Sequence, residues 1–341
     1  MDKLRIGLIG CGEIARNAHL PGWAEATNGE IVAICDIRED QAREQAAKYG
    51  IDDVYTDYET LLGRTDIDAV DICLPHHLHG PVGIAAAEAG KHVLVEKPIT
   101  TTLEQAVELI DACERKGLKL MCDQIRRFSP TTQFMKQVIE LGAVGNVTYV
   151  GSRQFHLKDI ITQAETKDQG WKVTQEGAGG GAIHRDGIHS IDIVRWLSGS
   201  EVVRVSAEID DFIWEQEVES CGHTLMRFQN GAIGEMVMNW CTMHPGFGEM
   251  TVAGTKGTVR TGLRSQEVEI FSADLGARNS GLNALLDGLA GKSTGYTQIR
   301  PEMMTVRVPQ GRDSRTLLGE HFVDCIVNDK DPLTNGLESA K

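Results

Sequence analysis

The sequence predicts an α/β fold in two parts: a doubly wound parallel sheet first, then an α+β domain built on a mostly antiparallel, open sheet. Three observations carry this. Short apolar runs alternate with helical patterns through residues 4–122, which calls for right-handed crossovers and a parallel sheet. A glycine-rich break follows the first run. Beyond residue 127 the texture changes to longer, partly alternating segments divided by Gly-containing turns.

Residues 4–9 (LRIGLI) read as a buried parallel strand. Gly10-Cys11-Gly12 breaks it, and a helical pattern starts at Glu13. A second strand over 31–35 ends at Asp36, and a helix over 41–49 stops at Gly50. The third strand, 69–74, is ended by Pro75. Helix 82–89 stops at Gly90, and strand 92–95 runs into Glu96-Lys97-Pro98. Helix 103–116 is capped by Gly117 and followed by a strand over 118–122. In the second part, 147–155, 202–209, 223–228, 232–239 and 249–253 read as strands. Asn230-Gly231 and Gly254-Thr255-Lys256-Gly257 are the turns between them. Met236, Met238 and Trp240 alternate as one face of a strand, for core packing or a subunit contact. The Gly- and Ser-rich stretch 260–300 fits a loop or an oligomer contact. The expected domains are 1–123 and 124–341.

Composition narrows the function. With 41% hydrophobic residues the chain is globular. Its 34 Lys and Arg against 49 Asp and Glu leave a charge of −15, which argues against binding a nucleic-acid backbone. No apolar run is long enough to span a bilayer, and because a strand pattern starts at Leu4 no signal peptide is expected. The eight cysteines form no Cys-x-x-Cys pair and several lie in apolar runs, so they are expected to be reduced, mostly buried thiols of a cytoplasmic protein.

Gly10-x-Gly12-x-x-Ala15 lies between a strand and a helix. There the first glycine permits a tight turn, the second admits a pyrophosphate, and the small third residue lets helix pack on strand. The helix N-terminus faces the anion with unpaired N–H groups. Asp36 closes the next strand, where a carboxylate accepts bonds from ribose hydroxyls. This is the pattern of a Rossmann dinucleotide site. Asp36 favours NAD over NADP; Arg38, two residues on, is either an adenine or 2′-phosphate contact or a solvated helix-start residue.

Further segments carry a resemblance: Gly10-Cys11-Gly12-Glu13-Ile14-Ala15, Leu74-Pro75-His76-His77-Leu78-His79 and Ala89-Gly90-Lys91-His92-Val93-Leu94-Val95-Glu96-Lys97-Pro98. Gln124, Arg127-Phe128, Gly170-Trp171-Lys172, Gly179-Gly180-Gly181, Asp186-Gly187-Ile188-His189 and Asp192 extend it. Together they resemble the glucose–fructose oxidoreductase / inositol dehydrogenase / rhizopine catabolism (Gfo/Idh/MocA) family over nearly the whole chain. The resemblance implies that Leu74, Pro75 and His76 pass under the cofactor ribose. It places Glu96 and Lys97 beside the nicotinamide, with Glu13, Ile14, His79 and Gln124 among the cofactor residues. His189 matches the acid/base of the second domain, and Trp171 and Lys172 border the substrate pocket. Two positions depart from the pattern: Arg185 stands where members often carry an acid, and Ile125 where they often carry a polar residue. Members usually run on through a last helix where this chain ends at Lys341, so a truncated form is expected. Pairing through the open sheet, as relatives do, implies a homodimer or homotetramer.

Oxidising a secondary alcohol needs a hydride acceptor and a base. Histidine suits the base because it titrates near neutrality, and Lys97 can hold the hydroxyl and stabilise oxyanion charge. On a helix Asp186 and Arg185 fall three and four residues before His189, so either reaches its face, and Asp186 can orient it. Asp192 reads as a structural hydrogen-bonder. His76, His77 and His79 invite a metal, but no cysteine or patterned carboxylate completes a zinc set, so none is expected. Arg127, Lys172 and Arg185 match segments near the pocket; as cations facing a cleft they suggest an acidic or strongly polar sugar derivative, with a neutral sugar or polyol as the alternative. The function expected is an NAD-dependent dehydrogenase of a sugar, polyol or related hydroxyl. The competing readings are a ligand sensor on the same fold and an NADP-dependent reductase or dihydrodiol dehydrogenase of a non-sugar compound.

Overall fold

The computed structural model describes residues 3–158, 170–212, 216–243, 246–262, 265–273, 280–289, 296–300 and 303–341. Two compact units emerge. The first comprises Met1–Ile125, Thr174–Gly179 and Arg312–Lys341, the second Arg126–Val173 and Gly180–Gly311. The single division at 123/124 is therefore corrected: two later segments return to the first unit. The physical reason for the C-terminal return is burial. The helix Ser314–Val327 buries Leu318, Phe322, Val323 and Cys325, and Val323 packs where a side chain on Gly29 would otherwise point.

In the first unit, β1 (Leu4–Ile9), β2 (Gly29–Cys35), β3 (Asp53–Tyr55), β4 (Ala69–Ile72), β5 (His92–Val95) and β6 (Leu120–Cys122) form a sheet in the order β3-β2-β1-β4-β5-β6. Every pairing is parallel. The order reverses at β1/β4, the switch point beyond whose strand ends ligands bind. A π-helical turn, Ala15–His19, leads into α1 (Leu20–Glu25). The crossovers are α2 (Glu39–Tyr49), α3 (Tyr58–Leu62), α4 (His76–Glu88) and α5 (Leu103–Arg115). Gly50 ends α2 in the left-handed conformation, φ 69°. The expected helix over 82–89 begins earlier, at His76, because Pro75 takes the position before it and Pro81 is carried inside. The three-residue β3 has too little apolar pattern to be legible.

The second unit holds a nine-stranded sheet in the order β14-β15-β13-β12-β11-β7-β10-β9-β8. Its strands are β7 (Val147–Phe155), β8 (Val202–Asp210), β9 (Cys221–Phe228), β10 (Ile233–Asn239), β11 (Phe247–Gly254), β12 (Gly257–Gly262), β13 (Glu267–Ser272), β14 (Tyr296–Arg300) and β15 (Met303–Arg307). All neighbours are antiparallel except β7 and β10. Helices α6 (Pro130–Glu140), α7 (Ile188–Ser198) and α8 (Ser280–Leu289) cover one face. Their Phe134, Val138, Ile193, Leu197 and Leu282 join Val150, Phe228, Val252 and Ile270 in one core. Met236, Met238 and Trp240 lie in that core, fully buried, rather than in a subunit contact. Part of the 260–300 stretch lies outside the described residues; 267–272 is strand and 280–289 helix. All eight cysteines are free thiols, buried except the half-buried Cys241.

Candidate active site

The first unit builds the cofactor loop from its backbone. Gly10 has φ 98°, and a Cβ there would lie 2.4 Å from the Cys73 carbonyl oxygen, so the turn accepts only glycine. A Cβ on Gly12 would meet nothing within 4 Å, which leaves the approach to the helix start open. Ala15 is buried with Leu8, Cys11 and Ile34, joining helix to strand; Glu13 and Ile14 are exposed. Asp36 secures the loop: its Oδ2 accepts from Cys11 N at 2.7 Å and its Oδ1 from Arg38 N at 2.8 Å. Arg38 Nε lies 3.6 Å from the same carboxylate.

Leu74 and Pro75 lead from β4 into α4, which starts at His76. His76 Nδ1 faces the Ala178 carbonyl at 2.9 Å, and His77 Nδ1 faces that of Gly177 at 3.4 Å. His79 is buried, its Nδ1 2.6 Å from Pro98 O and its Nε2 2.8 Å from Leu74 O; burial pulls it below the usual imidazole range. Its two ring nitrogens thus face backbone carbonyls of the segments after β4 and after β5. Gln124 is buried, and among the described residues its Oε1 has no hydrogen-bond partner. An orphaned amide oxygen, the open glycine loop and the Asp36 carboxylate together fit a dinucleotide.

Glu96 follows β5 and is only 4% exposed. Its Oε2 accepts from Lys97 N at 2.9 Å. Its Oε1 lies 3.0 Å from His19 Nε2 and 3.1 Å from Arg315 Nη1. His19 Nδ1 in turn meets Asp71 Oδ2 at 2.7 Å, which also accepts from Trp23 Nε1 at 2.7 Å. Asp123 contacts Arg315 and lies 3.3 Å from His19. Burial opposes the His19 cation, but Asp71 outweighs it and holds the ring well above its usual range. For Glu96 the order is the same: burial disfavours the carboxylate, and Arg315, then His19, reverse that and hold it well below the carboxylate range. Two groups here come within metal-ligand spacing, His19–Asp71–Cys73 and His19–Glu96–Asp123. The Arg315 guanidinium already supplies positive charge at the second. Lys97 is half-buried.

In the second unit His189 is half-buried, near the start of α7. The neighbouring Ser190 is pinned to β7, accepting from Gln154 Nε2 at 2.6 Å and meeting Ser152 Oγ at 2.9 Å. Asp186 sits in the π-helical turn Ile183–Gly187. Its Oδ2 accepts from Lys158 Nζ at 2.6 Å and Trp240 Nε1 at 3.0 Å, with His156 Nε2 3.7 Å away. Arg185 is 5% exposed, stacks over Trp240 at 5.2 Å and donates to the Lys172 carbonyl at 3.3 Å. Burial lowers its affinity for the proton, against Asp186 and Glu219. Trp171 and Lys172 are half-buried, the ammonium 5.8 Å from the indole. Arg127 corrects an expectation: it is 2% exposed, and its Nε and Nη2 grip Asp192 at 2.6–3.0 Å. It is a buried structural cation rather than one facing a cleft.

Residues 4–124 match the oxidoreductase family Gfo/Idh/MocA, NAD-binding Rossmann fold, and residues 132–260 match its C-terminal domain. A levoglucosan dehydrogenase of Pseudarthrobacter phenanthrenivorans is 30% identical over 69% of this chain and 67% of its own. The chain belongs to the Gfo/Idh/MocA family. A 1,5-anhydro-D-fructose reductase of Ensifer adhaerens is 31% identical over 75% of this chain and 74% of its own. The D-glucoside 3-dehydrogenase of Escherichia coli is 32% identical over 65% of this chain and 61% of its own. Among solved structures, the WlbA dehydrogenase from Bordetella pertussis, in complex with NADH and UDP-GlcNAcA, superposes with TM-score 0.81 at 26% identity. That superposition covers 99% of this chain and 92% of the other.

Against this Gfo/Idh/MocA background, sequence reasoning missed His19, Asp71, Asp123, Arg315 and Glu219. Asp71 and Asp123 gave a faint signal, as acids in or just after apolar strands, where a charge must be paired. Arg315 gave none, because 192 residues separate it from Asp123 (315 − 123).

Proposed function

We propose that the chain oxidises a secondary hydroxyl of a sugar, polyol or sugar derivative with NAD, with Lys97 and His189 as the catalytic residues. The observation that carries this is Lys97 itself, half-buried at the carboxyl end of β5 with its backbone N–H held by Glu96 Oε2. The named activities of the relatives, on levoglucosan and D-glucosides, support the substrate class. In the reaction the C–H bond yields a hydride and the O–H bond a proton, leaving a carbonyl. NAD, which the Gly10–Ala15 loop and Asp36 would hold, would supply the hydride acceptor. Lys97 donates a hydrogen bond to the substrate oxygen and stabilises its developing negative charge. His189 takes the hydroxyl proton, and Asp186, three residues earlier, supports its cation. Asp36 favours NAD, because a 2′-phosphate beside that carboxylate is repelled. The proposed assembly is a homodimer or homotetramer formed through the open sheet face.

The test is a screen of purified protein on levoglucosan, myo-inositol, D-glucose and D-glucuronate with NAD and NADP, following reduced cofactor. NAD is expected to be favoured in kcat/KM by about tenfold or more, roughly 1.4 kcal/mol. Lys97→Met and His189→Asn are each expected to lower kcat by about a hundredfold or more, with NAD binding kept in the histidine variant. Near-normal turnover in either variant removes that residue from the chemistry, and reversed cofactor preference gives the ribose site to Arg38. A D-glucuronate advantage lost in Arg185→Ala would identify an acidic substrate.

A further inference from the structure

We propose that Arg315 is a positioning residue for Lys97, acting through Glu96, and that the returning C-terminal segment thereby completes the catalytic end of the first unit. The proposal rests on the catalytic reading of Lys97. It stands on a chain of contacts within one unit. Arg315 Nη1 reaches Glu96 Oε1 at 3.1 Å and also contacts Asp123. Glu96 Oε1 meets His19 Nε2 at 3.0 Å, while Oε2 takes the Lys97 N–H at 2.9 Å. Both carboxylate oxygens are thus engaged, one by side chains and one by the backbone of Lys97. A carboxylate held from one side only can rotate; held from both, it fixes the peptide that sets the start of the Lys97 side chain.

The supporting helix is built for this contact. Asp313 caps it, accepting from Arg315 N at 2.8 Å. Gly22 of α1 lets it come close, since a Cβ there would lie 2.8 Å from Arg315 Cβ. Gly319, one turn further on, packs against the Trp23 ring. Arg312 and Thr27 both bind Glu320, which anchors the helix independently of Arg315. The charge balance also needs a positive group: Asp71, Glu96 and Asp123 are buried together around His19 and Arg315, whose Nη1 lies 2.8 Å from His19 Nε2. Removing Arg315 leaves buried carboxylates under-compensated, so Glu96 is expected to reorient or take up a proton and release the Lys97 amide.

The experiment uses the full chain and needs no substrate for its first arm. Arg315→Met is expected to speed amide hydrogen exchange at Lys97 by about tenfold or more while Val93–Val95 keep their protection. On whichever sugar of the panel above gives the highest kcat/KM, kcat is expected to fall about tenfold or more. The Kd for NADH, read by its fluorescence, should change less than about threefold. Arg315→Lys should restore part of kcat. Should Arg315→Met fail to fold, Arg315→Lys and His19→Gln carry the same readouts, with smaller expected changes. Unchanged exchange at Lys97, or an equal rise across β5, overturns the proposal and leaves Arg315 a general support of the fold. Normal turnover of Lys97→Met counts against the catalytic reading alone; the exchange result still decides the role of Arg315.

Discussion

A buried guanidinium must have its charge met inside the protein, and Arg127 meets it on Asp192, 65 residues away. The two parallel bonds of that pair, with the Trp196 ring 5.6 Å from the guanidinium, leave the cation little reason to seek a substrate. Each residue was visible in the sequence, Asp192 as a structural hydrogen-bonder and Arg127 as a pocket cation, but their pairing was not, because no local period joins them. Removing one partner strands the other charge. Arg127→Met is therefore expected to destabilise the protein by about 3–5 kcal/mol in urea unfolding, while the folded enzyme keeps its KM. A variant of unchanged stability and raised KM would return Arg127 to the substrate.

At the scale of elements, the helical run that carries Arg185, Asp186 and His189 depends on a residue from elsewhere. Glu219 accepts from Gly181 N at 2.7 Å and Ile183 N at 2.8 Å, and its carbonyl accepts from Ala182 N at 2.7 Å. A Cβ on Gly181 would fall 1.9 Å from that carbonyl oxygen, so the glycine is there for close approach. A negative group on the first N–H groups of a helix satisfies orphan donors and complements the dipole. Glu219→Ala is expected to cost about 1–2 kcal/mol and to lower kcat more than it changes NADH affinity, since His189 rides on this run. Glu219→Gln, which keeps an acceptor, should lose less. Equal stability of Glu219→Ala and wild type in urea would show that the cap is dispensable. The run of three glycines marked the spot in the sequence; the capping acid, some 38 residues on, did not announce itself.

At the scale of the molecule, the open face of the nine-stranded sheet bears on self-association. Leu225, Ile233, Phe247 and Phe271 are exposed, and the register places Leu225 beside Glu235 and Ile233 beside Tyr149. Two ion pairs lie on this face, Arg153 with Glu235 at 2.9 Å and Arg260 with Glu269 at 2.7 Å. The exposed apolar area gains most from being covered by a second copy. Wild type is expected to run as a dimer or tetramer in light scattering, and Leu225→Arg with Phe271→Arg to shift it toward the monomer. A monomeric wild type at about 50 μM would remove the assembly, since a stable homodimer holds together well below that concentration.

What the sequence determined by itself is what short-range physics governs. Strand and helix periods set the parallel sheet, Gly10 and Gly12 the cofactor loop, and the alternation over 147–155 and 232–239 a second, differently built sheet. The strand at 147–155 and the one at 92–95 match to the residue, each starting just after a glycine break, Gly145-Asn146 and Gly90-Lys91. Only tertiary structure decided which charges are spent on the fold. It turned Arg127 inward to Asp192, directed the Glu96 carboxylate to His19 and Arg315, and returned residues 312–341 to the first unit. Burying a charge is settled by whichever opposite charge the folded chain brings within reach, and separation along the sequence carries no record of that choice.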